Sequence, residues 1–446
     1  MRLTIPEPKI NLYKDGFAEH DKLSRKTTGE KLSELVEHID DPLVIALDGA
    51  WGSGKSFFLK CWVGEHLRRE GNTTQTVYFD AFKHDFLDDP LIALTGAIAE
   101  RFEGTDDIEA QHTWNKAKQI APALGRTLLR TGVSVATAGL VTTADELTDA
   151  AINTLSGELD GAVAEFWKRE DGKRAAMAGF RQALVGLTEP NDEGVPTRKL
   201  VIVIDELDRC RPEFAFSLLE VVKHFFNVDG VHFVLGANLR ELENSVQTRY
   251  GASANAARYL QKFVTLVAPL AGSEQTNRSS LRFVRYFDYV ATSTKLYETW
   301  KYSWLQDYLK LIDHHVHLSL RDIEQLIRVA QLAPSPSLAT TAEFHLFSGL
   351  AILKVISPNA IRKIRDRTIS FADVTRIFEI QDEAGEHSFE RAAHYVWRLA
   401  VGLDKMDVSA VTNRATHEYF EQYKPTQLIR DILANSFDTF DLTDVR

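Results

Sequence analysis

The sequence predicts an α/β fold built on a parallel β-sheet, with a large helical insert and an all-helical second half. Three observations predict it. Five short apolar runs have strand length, and the clearest are continuous rather than alternating, as in strands buried on both faces of a parallel sheet. Segments of helical period separate them, the arrangement of successive βα units. From about residue 274 strand patterns stop and helical patterns dominate.

The elements follow in order. "FAEHDKLSRKTTGEKLSELVEHID" (17–40) sets Leu32, Leu35 and Val36 among charges and reads as one amphipathic helix, with Thr28, Glu30 and Lys31 at its start. "PLVIALDGA" is the first strand, and "KSFFLKCWVGEHLRRE" then turns helical and stops at Gly71. The second strand is "TVYFDAF" (76–82), the third "KLVIVIDE" (199–206), the fourth "VHFVLGA" (231–237) and the fifth "FVTLVAPL" (263–270). Between the second and third strands lies a long stretch rich in Ala and Leu at helical spacing, closed by the Pro/Gly/Asn/Asp loop at 189–198. "APSPS" at 333–337 interrupts the helical half. The parse is therefore an N-terminal amphipathic helix region at 1–40, a core at 41–100 and 199–272, a helical insert at 101–198, a helical lid at 273–332 and a C-terminal helical domain at 333–446.

Bulk properties narrow the class. A chain of 446 residues is too long for one hydrophobic core. Its formal charge of −11 argues against coating nucleic acid by charge alone. Cys61 and Cys210 are the only two cysteines and form no disulfide framework or zinc pattern, which fits a reducing compartment. The charged N-terminus has no apolar signal-peptide core. The best membrane candidate, 131–143, falls short of the ~18–20 apolar residues a spanning helix needs and is flanked by Arg126, Arg130, Asp145 and Glu146. A soluble, cytoplasmic chain without a membrane span is expected.

The chemistry gathers at "DGAWGSGKSF" (48–57). Gly49, Gly54, Lys55 and Ser56 fit G-x-x-x-x-G-K-[ST], with Gly52 between them. Glycines let backbone N–H groups wrap phosphates, and the helix that starts here aims its positive dipole end at them. Trp51, Ser53 and Phe57 complete the expected nucleotide contacts. Lys55 is expected on the β- and γ-phosphates and the Ser56 hydroxyl on Mg²⁺. "LVIVIDELDRC" supplies the metal-side partner: Val201 to Ile204 carry Asp205 to the carboxyl end of a buried strand, and Glu206 follows, placed to orient or deprotonate water. Asp208 could share that role, and Glu206 could instead pair with Arg209 or Arg211. Asn238, after the fourth strand, either nears the γ-phosphate, if that strand lies between the other two, or caps the next helix. ATP is expected over GTP, because the nearest string to N-K-x-D is "NKAK" at 115–118, which lacks the Asp.

The set "ALDGAWGSGKSFFL", "VYFDAFKHDFLDDPLIAL", "VIVIDELDRCRPEFAFSLLEVVKHFF", "VHFVLGANLRELENSV", "RYLQKFVTLVAPL" and "LSLRDIEQLIR" resembles the KAP family of P-loop NTPases over roughly residues 20–330. The resemblance implies an ASCE-type ATPase core related to AAA+ and STAND proteins. It implies Lys55 and Ser56 in the Walker A motif, Asp205 and Glu206 in Walker B, and Arg321 as the lid arginine that senses the γ-phosphate. An arginine at the start of a helix opposes the helix dipole, which is easier to explain beside a phosphate. Arg249 and Arg258 are candidates for an arginine finger reaching a neighbouring subunit. Two departures stand out: many members span a membrane within the insert, and the usual Asp after the fourth strand is Asn238.

The expected function is a Mg²⁺-dependent ATPase whose nucleotide state controls assembly of a homo-oligomer or a separate effector protein, and the family resemblance implies a setting in bacterial anti-phage defence. The alternatives are an ATP-binding scaffold with little hydrolysis and a DNA-stimulated ATPase. Other features are ordinary. His314, His315 and His317 have no supporting carboxylate or cysteine pattern for a metal. Arg362, Lys363, Arg365 and Arg367 in 359–367 read as a solvated face, with nucleic-acid contact the sharper alternative. The aromatics of 297–309 read as a helix-packing face.

Overall fold

The structure is a computed structural model that describes residues 9–87, 89–102, 177–224, 228–270, 278–312, 316, 318–336, 340–380, 389–402 and 424–438. The membrane candidate 131–143, the "NKAK" string, most of the expected insert and His314, His315 and His317 lie outside these residues.

Five parallel strands form one sheet: β1 (Leu43–Asp48), β2 (Thr74–Asp80), β3 (Lys199–Asp205), β4 (Val231–Ala237) and β5 (Leu266–Pro269). Their order is β2-β3-β4-β1-β5. This is the predicted α/β class, and β4 stands between β1 and β3, so the loop after β1 and the end of β3 are separated by one strand. The register pairs Asp48 with Ala237 and Asp205 with Gly236, which brings the carboxyl ends of the three central strands level. Gly236 has a reason there, since a Cβ would lie 2.5 Å from Asp205 Oδ1 and 2.5 Å from Leu59 Cδ1. β3 and β4 are buried at every position, which is why their sequences are apolar without alternation.

Several boundaries differ from the sequence reading. The amphipathic segment 17–40 is two helices, α1 (Phe17–His20) and α2 (Lys26–His38). The break is made by Asp21, whose carboxylate accepts from the backbone N–H of Leu23, Arg25 and Lys26 and so serves the start of α2 ahead of Thr28. β2 begins earlier, at Thr74, and stops at Asp80, whose side chain accepts from Lys83 N and caps the short helix α4 (Ala81–His84). The fifth strand loses Phe263, whose N–H turns back to Leu260 O.

Helix α3 (Lys55–Leu67) lies on one face of the sheet with α2, around Phe58, Trp62 and Val36. Helix α5 (Pro90–Phe102), residues 177–188 and the helix Pro212–His224 cover the other face. The helical half forms its own core around Phe287, Tyr308, Phe347 and Trp397. It includes the expected aromatics: Trp304 and Tyr308 pack against His345 and Phe389, a helix-packing face as read from sequence. Among the described residues no helix is long and apolar enough to cross a membrane.

Candidate nucleotide site

The loop after β1 is shaped by two glycines in the left-handed region, Gly52 (φ 76°) and Gly54 (φ 85°). Gly54 precedes α3 with no side-chain cap, so the first N–H groups of that helix open toward the loop. The loop is held from four sides. Gly49 N–H donates to Ala237 O of β4 (3.3 Å), Gly52 O accepts from Leu320 N (2.9 Å), and Gly54 O accepts from Arg25 Nη1 (3.4 Å). Trp51, which is exposed, donates its indole N–H to Asp208 Oδ2 at 2.5 Å.

Beside this loop is a cleft of about 470 Å³. At one end stand Lys55, Ser56, Asp205 and Glu206, from α3 and the end of β3. The lid side is made by Tyr286, Tyr289, Leu320, Arg321 and Glu324, and the N-terminal segment adds Ile10, His20, Lys22 and Leu23. The cleft is thus cationic and carboxylate-bearing at the loop, while the other side mixes Ile10, Leu23, Leu320, Tyr286 and Tyr289 with Lys22, Arg321 and Glu324. A phosphate chain suits the loop, and a flat base suits the tyrosines.

Lys55 is buried, its ammonium donating to the carbonyls of Gly49 and Ala50. Burial lowers its pKa, against the fields of Asp208, Asp205 and Asp48. Asp205 is fully buried. Its Oδ2 accepts from Tyr78 OH at 2.6 Å and its Oδ1 from the Glu206 backbone N–H at 2.9 Å. Burial raises the Asp205 pKa, opposed by its bonds from Tyr78 and Ser56. The Lys60 charge also lowers it, and a magnesium ion held here would add positive charge beside the buried carboxylate. Glu206 sits in the left-handed region (φ 59°), accepts from Ser56 Oγ at 3.2 Å and pairs with Arg209 at 2.9 Å. Burial raises its pKa, against the Arg209 charge.

These residues fit a nucleotide and its magnesium ion. Ser53 Oγ is buried without a partner, an added Cβ at Gly49 would meet it at 2.9 Å, and Ser56 and Asp205 are hard oxygen donors on one wall. Among the described residues no group of three His, Cys, Asp or Glu could hold a metal by itself. A P-loop site needs no such group, because phosphate oxygens and water complete the shell.

The KAP family P-loop domain matches residues 25–332, more than half of the chain. The chain belongs to the KAP family of P-loop NTPases. The match includes the P-loop, β3, the insert and the lid helix Leu320–Leu332. No curated protein matches the chain. Two solved structures of the Aeropyrum pernix ORC2 protein show a loose likeness. The ADPNP–ADP complexes superpose with a TM-score of 0.32 at 12% identity, and the ADP form with 0.33 at 13%; each covers 92% of this chain and 95% of the other.

Within this KAP domain the structure brings most of the sequence-predicted residues together. Trp51, Gly52, Ser53, Gly54, Lys55, Ser56, Phe57, Asp205, Glu206 and Arg321 all line the cleft. Gly49 abuts it through Ser53 and Lys55. Asp208 and Arg209 line it too, and Arg209 takes the Glu206 carboxylate, while Arg211 turns away to Asp85 and Leu87. Asn238 occupies the N-cap position of the helix Leu239–Tyr250 without a side-chain cap bond, and the first N–H of that helix goes to Asp48 Oδ1 instead. Asn238 does not line the cleft.

Arg249 and Arg258 lie on the helices Leu239–Tyr250 and Ala256–Leu260, exposed and away from the cleft. Arg249 stacks over the Phe216 and Tyr250 rings. In the 359–367 patch, Lys363 pairs with Asp373 and Arg365 with Asp438, leaving Arg362 and Arg367 exposed. Sequence reasoning missed Tyr78, His20, Lys22, Tyr286 and Tyr289. Each reaches the site from another strand, helix or segment, and none sits in the Walker A or Walker B stretch.

Proposed function

We propose that this KAP protein is a Mg²⁺-dependent ATPase whose nucleotide state controls assembly of copies of the chain or a separate effector. One observation carries the reading: Lys55, Ser56, Asp205 and Glu206, from two strand ends separated by one strand, share a single cleft that Arg321 also lines. Lys55 and the open N–H groups of α3 bind and neutralise the phosphates. Ser56 and Asp205 would hold the magnesium ion, which when bound draws charge from the β- and γ-phosphates. Glu206 orients the attacking water and takes its proton. Arg321, half a turn into the lid helix, makes lid position sensitive to the γ-phosphate.

Purified protein is expected to release phosphate from ATP, and Lys55→Ala to abolish release; activity that survives this change would overturn the assignment. Glu206→Gln is expected to keep ATP binding and stop turnover. The mass of the purified chain with and without a non-hydrolysable ATP analogue tests assembly, in which Arg249 or Arg258 would enter a neighbour's cleft. The defence setting rests on the family resemblance alone.

A second reading, a scaffold that binds ATP and scarcely hydrolyses it, is favoured by the clasp on Glu206. Ser56 and Arg209 both hold the carboxylate that would act on water. Single-turnover hydrolysis by the assembled protein separates the two.

A further inference from the structure

We propose that Tyr78, a residue of β2 outside the Walker A and Walker B stretches, is a positioning residue that sets the magnesium affinity of the site through Asp205. The inference rests on the nucleotide reading above. Tyr78 stands on the neighbouring strand, two register positions short of the Asp80–Asp205 pair, opposite Val203. Its side chain therefore runs along β3 toward the strand's carboxyl end, where the hydroxyl donates to Asp205 Oδ2 at 2.6 Å. Both partners are buried, Asp205 completely.

The second carboxylate oxygen is taken by the Glu206 N–H at 2.9 Å. One hydrogen bond on each oxygen fixes the rotation of the carboxylate plane, and the remaining lone pairs face Ser56 and the cleft. Without the Tyr78 hydroxyl, Oδ2 loses its donor in a site that water does not reach from behind, and the carboxylate is free to turn. The ring is itself held in place. Lys60, which lines the cleft, lies over it at 5.8 Å, whereas Tyr13 OH accepts only from the Tyr78 backbone N–H, at 3.0 Å. Outer-shell partners of this kind change metal affinity by about 10- to 100-fold when removed.

The test is equilibrium binding of a fluorescent ATP analogue to the full chain, in EDTA and across a magnesium titration. Tyr78→Phe is expected to leave affinity in EDTA unchanged and to raise the magnesium concentration for half-maximal effect by about 10- to 100-fold. Tyr13→Phe, which removes the neighbouring hydroxyl that never touches Asp205, is expected to leave the magnesium response as in the wild type. In an Asp205→Asn background, Tyr78→Phe is expected to add nothing. A wild-type magnesium effect that Tyr78→Phe preserves overturns this inference alone. A wild-type chain with no magnesium effect overturns the functional reading as well. Should Tyr78→Phe fail to fold, Tyr78→Leu, which also lacks the donor, carries the test; an equal magnesium response in folded Tyr78→Leu and wild type overturns the inference.

Discussion

Gly52 joins the two halves of the site at a single residue. Its φ of 76° is a conformation that costs L-residues about 1–2 kcal/mol. A Cβ there would also lie 2.8 Å from Ser319 Oγ and 3.1 Å from Arg321 Cβ, on the lid. Gly71 provides the comparison, with a φ of 73° and nothing within 4 Å. Gly71→Ala is therefore expected to lose only the backbone term, about 1 kcal/mol in chemical denaturation. Gly52→Ala loses the same term and also pushes the lid helix off the loop, breaking the Leu320 N–H bond to Gly52 O. It is expected to weaken ATP binding severalfold where Gly71→Ala does not, and equal affinities in the two variants would show that the lid does not rest on Gly52. Glu206 is the converse case, a non-glycine residue in the left-handed region at the end of β3. Such conformations persist where the surroundings over-determine them, and here Ser56, Arg209 and Asp205 do so.

At the scale of elements, the helix Leu320–Leu332 shows how local rules place an arginine at the cleft. Ser319 Oγ accepts from Asp322 N at 3.1 Å while Asp322 Oδ2 accepts from Ser319 N at 2.8 Å, a capping box. Asp322 answers the helix dipole that Arg321 opposes, so the arginine can be held at the cleft without a phosphate present. Ser319→Ala is expected to cost about 1 kcal/mol in denaturation and to weaken ATP binding through the lid, a loss that Ser319→Asp should largely restore. The sheet was legible because β3 and β4 are buried at every position and so carry unbroken apolar runs. The P-loop and Asp205 were legible because phosphate chemistry restricts residue type at fixed spacing. The break at Asp21 was not, because a carboxylate serving three backbone N–H groups leaves no periodic trace. Nor were Tyr78, Tyr286 and Tyr289, because their roles depend on which strands and helices become neighbours.

Among the described residues, two apolar cores sandwich the sheet and a third fills the helical half, and residues packed on the α3-side core and the helical core line the cleft. Buried histidines run through this architecture. His66 is on α3, His232 on β4 and His345 in the helical half, where it meets Tyr308 OH at 3.1 Å. Burial lowers each, to about 4 for His66 and His232 and about 3 for His345. The folded chain thus keeps them neutral where the unfolded chain, with an ordinary pKa of ~6.5, takes up protons. Stability is full above that value and falls as pH drops through it toward about 4, by up to ~1.4 kcal/mol per pH unit for each group. Burial raises Asp205 and Glu206, which work in the opposite direction. Asp373 is held down to about 2 by Lys363 and so loses its share only at more acid pH. Denaturation midpoints are therefore expected to stay level above about pH 6.5 and to fall from there to about pH 5. His345→Gln, which keeps a polar group for Tyr308, should flatten that slope by up to a third. An acid slope that His345→Gln leaves unchanged would mean that this imidazole is reached by water in the folded chain.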